Sequence, residues 1–324
     1  MKRRKQVVWM CSGQGSQYYQ MGRALYQSHA PFQNHIQTCD PILKKLLNAT
    51  FSQIVFDPAS NPSRPFDNLQ QSHLALAVIQ YSLALSLLEQ DLRPDRLLGY
   101  SLGEIIAHMI AQSISLETGL SLISSHASAI QLHCQPGAML AILAPQETIN
   151  RLQSPNRFHL AAKNFPSHHV ISCHRQNADT LEPALRQRQI SFQRLPVNYG
   201  FHSPLIDPAE NAFRSALAAI QPQSPAFEVL SASTTPPSTS PLQAWEATRN
   251  PLDFEKTLRS IEKYHEHGTL YIDLGPSGTL AAFVKHSPKT PKESQPLPTI
   301  TPLDTTQNSL KAAQQAMRAN QAGS

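Results

Sequence analysis

The segment Gly-Tyr-Ser-Leu-Gly at residues 99–103 constrains the fold of this chain more than any other segment. An apolar stretch precedes it and a helix-like stretch follows it, so Ser101 is predicted to occupy a sharp turn between a strand and a helix. Such a turn lifts the serine hydroxyl out of the sheet and leaves the next backbone N–H free to bind an oxyanion. The segment therefore predicts an α/β fold in which Ser101 is a candidate nucleophile for acyl chemistry.

The segments around this turn also indicate an α/β protein. Residues 7–10 predict a buried first strand, which is followed by a glycine-containing turn. Apolar side chains recur every three to four positions over residues 73–90, which predicts a helix that is buried on most sides. Residues 96–98 predict a short strand that enters the serine turn, and residues 104–112 predict the helix after it.

Residues 138–198 predict a small inserted unit. Strands are predicted there over residues 138–143, 169–172 and 192–197, and helices over residues 146–152 and 179–188. We interpret the segment as a small inserted βαββαβ unit. Residues 1–137 and 199–324 then form one discontinuous large domain, in which residues 231–241 are a surface loop and residues 286–324 are a surface tail.

The composition excludes several classes of protein. With 324 residues, of which 40% are hydrophobic and 15% are charged, the chain can bury a sizeable core. The formal charge of +5 is spread along the sequence apart from a basic start, and no segment resembles a nucleic-acid module. No apolar run approaches the roughly 20 residues of a membrane span. We therefore expect a cytoplasmic protein without nucleic-acid or membrane partners.

The cysteines indicate neither a metal site nor a disulfide framework. Cys11, Cys39, Cys134 and Cys173 stand far apart, and no two of them have the short spacing of zinc ligands. We expect reduced thiols, no metal ion and no other cofactor.

A nucleophilic serine requires a base and at least two hydrogen-bond donors for the developing oxyanion. Among fourteen histidines, His202 stands out because Tyr-Gly-Phe-His-Ser at residues 199–203 begins directly after the inserted unit. A turn at that point returns the chain to the edge of the large domain where Ser101 is expected. The chain order of serine before histidine is also that of hydrolase-like folds.

Four ordered motifs give the chain a resemblance to the malonyl-CoA:acyl-carrier-protein transacylase family, which includes the acyltransferase domains of polyketide and fatty-acid synthases. They are Gly-Gln-Gly-Ser-Gln at residues 13–17, Gly-Tyr-Ser-Leu-Gly-Glu at 99–104, Phe-His-Ser at 201–203 and Asp-Leu-Gly-Pro at 273–276. The resemblance covers roughly residues 6–285. It implies an α/β-hydrolase-like large domain that carries an inserted ferredoxin-like small domain, with the active site in the gorge between them.

The resemblance also implies roles for individual residues. Ser101 is the nucleophile and His202 is its base, so that the two form a dyad. A main-chain carbonyl near Asn250 orients His202 in place of an aspartate. The backbone N–H groups of Gln14 and Leu102 form the oxyanion hole.

One departure from the family pattern changes the expected substrate. Members that use malonyl groups carry an arginine in a helical segment after the nucleophile, where its planar fork pairs with the free carboxylate of malonate. Here that position is His126, and no arginine occurs between Ser101 and Arg151. If the helix register differs by a few residues, His126 is a buried histidine without a substrate role. In either case the arginine is missing, and we expect the acyl group to be uncharged.

These residues leave three interpretations of the function. The first is a hydrolase that removes acyl groups from stalled acyl carrier proteins of a polyketide synthase, because the chain resembles the free-standing acyl hydrolases of trans-acyltransferase systems in its length, its missing arginine and residues 273–280. The second is an acyltransferase that moves an uncharged acyl unit from CoA or a carrier protein to a carrier protein. The third is a catalytically idle docking partner.

Overall fold

Two five-stranded sheets organise the chain, and the catalytic candidates lie between them. The structure is a computed structural model that describes residues 4–58, 61, 63–152, 157–233, 240–263, 267–303 and 307–323. Its strands are β1 Gln6–Cys11, β2 Arg96–Gly99, β3 Gly137–Leu143, β4 His159–Phe165, β5 His168–His174, β6 Ser191–Arg194, β7 Glu228–Ser231, β8 Leu252–Asp253, β9 Thr269–Asp273 and β10 Gln295–Pro298.

Thirteen α-helices are present in the described part of the chain. They are α1 Arg23–Ser28, α2 Ala30–Leu47, α3 Phe51–Val55, α4 Leu69–Leu88, α5 Gly103–Ile110, α6 Leu116–His133, α7 Gln146–Leu152, α8 Arg175–Gln187, α9 Glu210–Ala218, α10 Ala244–Arg249, α11 Phe254–Glu262, α12 Thr279–His286 and α13 Asn308–Ala322. Short 3₁₀ helices cover Pro204–Ala209 and Pro241–Gln243. The mixture of parallel strands and helices confirms the predicted α/β class.

The first sheet is entirely parallel, with the strand order β10-β9-β1-β2-β7. Its central strand β1 is buried, and Trp9 lies in register with Leu97 of β2 and Ile272 of β9. Parallel strands covered on both faces read as continuous apolar runs, which is the pattern of β1 and β9. All five strands end at one edge, so the turns after β1 and β2 meet there.

The second sheet has the order β6-β3-β5-β4-β8. Its first four strands are antiparallel, come from residues 137–194, and alternate with α7 and α8 in a βαββαβ order. Strand β8 comes from outside this segment and pairs in parallel with β4. A second hydrophobic core lies between this sheet and its helices. The division into a separate ferredoxin-like domain at residues 138–198 stays a prediction.

Helix α4 crosses the main core, as the apolar periodicity predicts. Fifteen of its 20 residues are buried. Among the described helices, it alone is long and apolar enough to cross a membrane, but 78% of its most apolar window is buried inside the protein. The core helix of a globular protein can have the same length and apolar composition, so a single such helix is weak evidence for a membrane span.

Residues 286–324 are not only a surface tail, and that prediction needs correction. Strand β10 pairs with β9 at the edge of the first sheet. Helix α13 buries Leu310, Ala313 and Met317 against the main core. These apolar contacts hold the C-terminal segment on the large sheet. Part of the predicted surface loop at residues 231–241 lies outside the described residues, since only residues 231–233 and 240–241 are described.

Candidate active site

Ser101 lies in the predicted strand-to-helix turn, between β2 and α5. Its backbone is in the left-handed region with φ of 58°, a conformation that stores strain in a residue other than glycine. Gly103 makes the turn possible, because a Cβ atom there would lie 1.9 Å from the carbonyl oxygen of Cys11. The serine is 9% exposed. Ser101 therefore lies at the carboxyl edge of the first sheet and is largely shielded from solvent.

His202 approaches Ser101 from a loop that follows the second sheet. Its backbone N–H donates to the carbonyl oxygen of Thr248 at 3.0 Å, and Ser172 Oγ donates to the carbonyl oxygen of Phe201 at 2.5 Å. These two bonds anchor the loop, in which His202 also has a positive φ of 59°. His202 Nε2 lies 2.8 Å from Ser101 Oγ. The structure thus brings the two predicted residues into hydrogen-bond contact.

The carbonyl oxygen of Asn250 determines which nitrogen of His202 carries the proton. It lies 2.9 Å from Nδ1 of the ring. A carbonyl oxygen only accepts, so Nδ1 must donate, and Nε2 of the neutral ring is left to accept the proton of the Ser101 hydroxyl. Burial lowers the pKa of His202 to about 4, although the bond to Asn250 opposes this shift. His202 is therefore neutral at pH 7 and can act as a base.

Helix α10 fixes the position of the Asn250 carbonyl. Asn250 is the residue that ends this helix, and its N–H donates to the carbonyl oxygen of Glu246 at 2.9 Å. The preceding residue, Arg249, forms an ion pair with Asp207. Trp245 of the same helix is buried in the main core. Backbone geometry rather than a charged side chain thus orients His202.

The turn after β1 packs directly on the Ser101 turn. A Cβ atom at Gly13 would lie 2.7 Å from the carbonyl oxygen of Tyr100 and 2.9 Å from Cβ of Ser101. The same Cβ atom would lie 3.3 Å from the backbone nitrogen of Leu102, so the turn that contains Gln14 packs beside Leu102. Among the described residues, no backbone acceptor pairs with the N–H of Gln14 or of Leu102. The arrangement suits two donors that point to one oxyanion.

A cavity of about 40 Å³ lies beside the Ser101 hydroxyl. Its wall combines apolar side chains with a few polar ones, and the structure places His126 in it together with Ser101 and His202. His126 is 1% exposed, and its ring makes an edge contact with Phe213 at 4.7 Å between centroids. Burial, together with the nearby His202, lowers the pKa of His126 to about 3. His126 is therefore uncharged at pH 7.

The sequence did not single out two further groups at the site. His73 of α4 stacks on His126 in the wall of this cavity. A neighbouring cavity of about 160 Å³ shares part of that wall, and there Tyr100 Oη donates to Asn164 Oδ1 at 2.8 Å. The Asn164 amide in turn donates to Nδ1 of His168 at 3.0 Å. The one sequence signal for His73 is a histidine inside a predominantly apolar helix.

The site contains no arrangement of side chains typical of a metal centre. In the parts of the chain that the structure describes, no group of three or more histidine, cysteine, aspartate or glutamate side chains could hold a metal ion. The four cysteines are free thiols, and three of them are buried. The ring of His202 instead contacts the hydroxyl of Ser101 through Nε2 and the carbonyl oxygen of Asn250 through Nδ1.

Comparisons with known proteins find relatives of this chain by sequence and by fold. The sequence profile of the acyl transferase domain family matches residues 8–324. The chain is 38% identical over 288 residues to the polyketide biosynthesis acyltransferase homolog PksD of Bacillus subtilis, a match that covers 86% of each chain. It is 36% identical over 283 residues to the homolog BaeD of Bacillus velezensis, again over 86% of each chain. The loading acyltransferase of the avermectin polyketide synthase superposes with a TM-score of 0.84 and 22% identity, over 96% of this chain and 99% of that one.

Proposed function

The chain belongs to the family of acyl transferase domains, and we propose that it hydrolyses acyl thioesters of carrier proteins through an acyl-enzyme on Ser101. The observation that carries the proposal is the hydrogen bond of 2.8 Å between Ser101 Oγ and His202 Nε2, with Nδ1 of the same ring held by the Asn250 carbonyl. The family match confirms the resemblance given by the four sequence motifs. The relatives PksD and BaeD place such chains in polyketide biosynthesis.

In the first half-reaction, Ser101 Oγ attacks the thioester carbonyl carbon while its proton passes to His202 Nε2. The carbonyl oxygen becomes an oxyanion, which the N–H groups of Gln14 and Leu102 stabilise. When the tetrahedral intermediate collapses, the carbon–sulfur bond breaks and the leaving sulfur takes the proton from His202. The products are an ester on Ser101 and a carrier protein with a free thiol.

In the second half-reaction, a water molecule attacks the ester carbonyl and gives a proton to His202 Nε2. The bond between the acyl carbon and Ser101 Oγ then breaks, and the serine oxygen takes that proton back. The acyl group leaves as a free acid. His202 is neutral at the start of both half-reactions, which its lowered pKa of about 4 allows at any pH well above that value.

The wall of the small cavity supports an uncharged acyl group. His126 is neutral, because burial lowers its pKa to about 3, and Met139, Val170 and Phe201 supply apolar contacts nearby. A malonyl carboxylate in this cavity would lose its hydration without gaining a cation, which should cost about 2–5 kcal/mol. The neighbouring cavity of about 160 Å³ offers room for the thioester arm of a carrier protein.

The competing function is transfer of the acyl group to a second thiol instead of water. The family match favours it, because transfer is the reaction for which the family is named. Both functions use Ser101, His202 and the same oxyanion hole. We propose that water is the acceptor and that the partners are acyl carrier proteins of a polyketide synthase. We propose the cytoplasm as the compartment, because thiols remain reduced there.

Mass spectrometry of intact carrier proteins distinguishes these functions. The chain is incubated with an acetylated carrier protein and a second carrier protein that bears a free phosphopantetheine thiol. We expect free acetate to appear and both carriers to end without an acetyl group. The Ser101→Ala variant should leave the acetylated carrier unchanged. Transfer of the acetyl group to the second carrier at a rate equal to or above that of acetate release would overturn hydrolysis and establish the transferase. Turnover that persists in Ser101→Ala would exclude the acyl-enzyme altogether.

A further inference from the structure

Two stacked histidines form one wall of the cavity beside Ser101. His73 comes from α4 and His126 from α6, and their ring centroids lie 5.7 Å apart with an angle of 15° between the planes. Each residue is 1% exposed. The ring of Phe201 lies 6.0 Å from that of His73 and 5.9 Å from that of His126. The pair is therefore held by aromatic neighbours and faces the cavity that Ser101 also lines.

Four polar atoms of this wall lack hydrogen-bond partners in the described part of the chain. Both ring nitrogens of His126, Nδ1 of His73 and Oε1 of Gln14 are buried, and none makes a hydrogen bond to any residue that the structure describes. All three residues line the same cavity. Buried polar atoms in native proteins almost always have partners, so a group of such atoms around one cavity points to a ligand.

The chemistry of these atoms selects the ligand. Burial lowers the pKa of both histidines, so both rings are neutral. The two unpartnered nitrogens of His126 are then one donor and one acceptor, and the unpartnered Nδ1 of His73 is one or the other. Gln14 Oε1 is a further acceptor. A carboxylate only accepts and would leave the acceptors unpaired, whereas an alkyl chain would pair with none of these atoms. A hydroxyl group donates and accepts, and it fits a cavity of about 40 Å³.

We propose that His73, His126 and Gln14 bind a neutral hydroxyl group on the acyl chain, so that the enzyme prefers short hydroxyacyl groups to unsubstituted ones. This inference rests on the proposed function, because it assumes that the acyl group on Ser101 enters the small cavity. A bound water molecule has the same hydrogen-bonding chemistry as the hydroxyl group. If the site binds the hydroxyl group of the acyl chain, this hydroxyl changes the rate at which Ser101 is acylated. If the site binds only water, the hydroxyl does not change that rate.

The test is a competition between carrier proteins that differ only in the acyl chain. Equal amounts of butanoyl carrier and of one enantiomer of 3-hydroxybutanoyl carrier are mixed with the enzyme, and intact-protein mass spectrometry follows the loss of each. The ratio of the two rates gives the ratio of kcat/KM values, whichever acceptor takes the acyl group. For one enantiomer we expect a preference of about tenfold or more, because sites built for a hydroxyl reject analogues that lack it.

Two variants test which residues cause this preference. His73→Phe and His126→Phe keep an aromatic ring in the stack but remove its nitrogens, and each should reduce the hydroxyacyl preference at least fivefold. His108→Phe is the matched control. His108 is also buried with an unpartnered Nε2, but it does not line the cavity, so its replacement should leave the preference as in the wild type.

The outcomes separate the two hypotheses. Equal consumption of butanoyl and hydroxybutanoyl carriers by the wild type, for both enantiomers, would overturn the hydroxyl site and leave these atoms to bind water. A preference that survives in both phenylalanine variants would overturn the assignment to the histidines. If a phenylalanine variant does not fold, the ratio of kcat/KM for the two carriers is measured in Gln14→Leu, which removes the acceptor Oε1 from the same wall. Failure to consume either carrier would instead overturn the proposed function.

Discussion

The main-chain carbonyl oxygen of Asn250 accepts a hydrogen bond from Nδ1 of His202 at 2.9 Å. In a serine–histidine–aspartate triad a carboxylate holds this nitrogen and stabilises the imidazolium that forms during the reaction. The carbonyl here carries only a partial charge, and it is held at the C-terminal end of α10. The orientation of the His202 ring therefore depends on the backbone of residue 250 and not on its side chain.

This arrangement predicts different effects of two substitutions. Asn250→Ala keeps the carbonyl oxygen and should retain hydrolysis of an acetyl carrier within about threefold of the wild type. His202→Ala removes the base and should lower kcat by a factor on the order of 10⁴. Steady-state release of free thiol, read with a chromogenic disulfide, gives both values. A loss in Asn250→Ala that approaches the loss in His202→Ala would mean that the side chain orients the base.

Much of the large sheet is predictable from local sequence, and the exceptions have physical causes. Strands β1 and β9 are continuous apolar runs followed by glycine turns, which are the signals of buried parallel strands. The sequence does not indicate strand β10, because the strand contains Pro296 and Pro298, which are tolerated only at a sheet edge, where the strand lies. It does not indicate strand β4 either, because that strand contains Lys163 and Asn164 and pairs irregularly with β5.

Some residues of the site are likewise predictable from local sequence, and others depend on contacts between distant segments. Ser101 lies in a short motif whose turn is encoded locally by its glycines, and the sequence therefore predicts it. His73 lies on α4 without any motif around it, and it reaches the site only because α4 packs against α6. The volume of the cavity and the unpartnered nitrogens of His126 depend on packing between distant segments, for which a single sequence carries no local signal.

The pH dependence of acylation should report the environment of His202. The base must be neutral to accept the serine proton, and burial lowers its pKa from 6.5 to about 4. We therefore expect kcat/KM for an acetyl carrier to be constant from about pH 8 down to about pH 5.5 and to fall only as the pH approaches the lowered pKa. Initial rates in a stopped-flow pH jump avoid acid unfolding. A midpoint near 6.5 would show that His202 is solvated.

Buried neutral histidines should make the fold sensitive to acid. The pKa is lowered to about 3 for His126 and to about 4 for His108, whereas in the unfolded chain both return to about 6.5. The unfolded state therefore binds more protons below pH 6.5, so stability is fully present above that pH and is lost as the pH falls toward the lowered values. Each such histidine contributes a slope of about 1.4 kcal/mol per pH unit.

His126→Phe tests this linkage, because it removes one titrating group while keeping an aromatic side chain. Urea unfolding at pH 7, 6 and 5 should show a shallower loss of stability in the variant than in the wild type. The difference in slope should approach about 1 kcal/mol per pH unit over this interval. Parallel lines for the two proteins would mean that His126 is not buried in its neutral form.

The close packing of Gly13 on the Ser101 turn predicts that Gly13→Ala impairs catalysis. The added methyl carbon would lie 2.7 Å from the Tyr100 carbonyl oxygen, so the backbone has to move, and the N–H of Gln14 moves with it. Misplacing one oxyanion donor should lower kcat by about 10²-fold or more. Thermal unfolding of the same sample shows whether the fold is retained. Wild-type kcat in a folded variant would exclude the Gln14 N–H from the oxyanion hole.

Restoring a cation at position 126 should restore use of malonyl groups. A guanidinium stays charged when buried and presents two parallel donors to a carboxylate, whereas the neutral ring of His126 presents one. His126→Arg should therefore raise the malonyl-to-acetyl ratio of kcat/KM by about tenfold or more, even if its bulk in a cavity of about 40 Å³ slows both reactions. His126→Phe supplies the uncharged control and should show no gain. An unchanged ratio in His126→Arg would mean that residue 126 does not contact the acyl group.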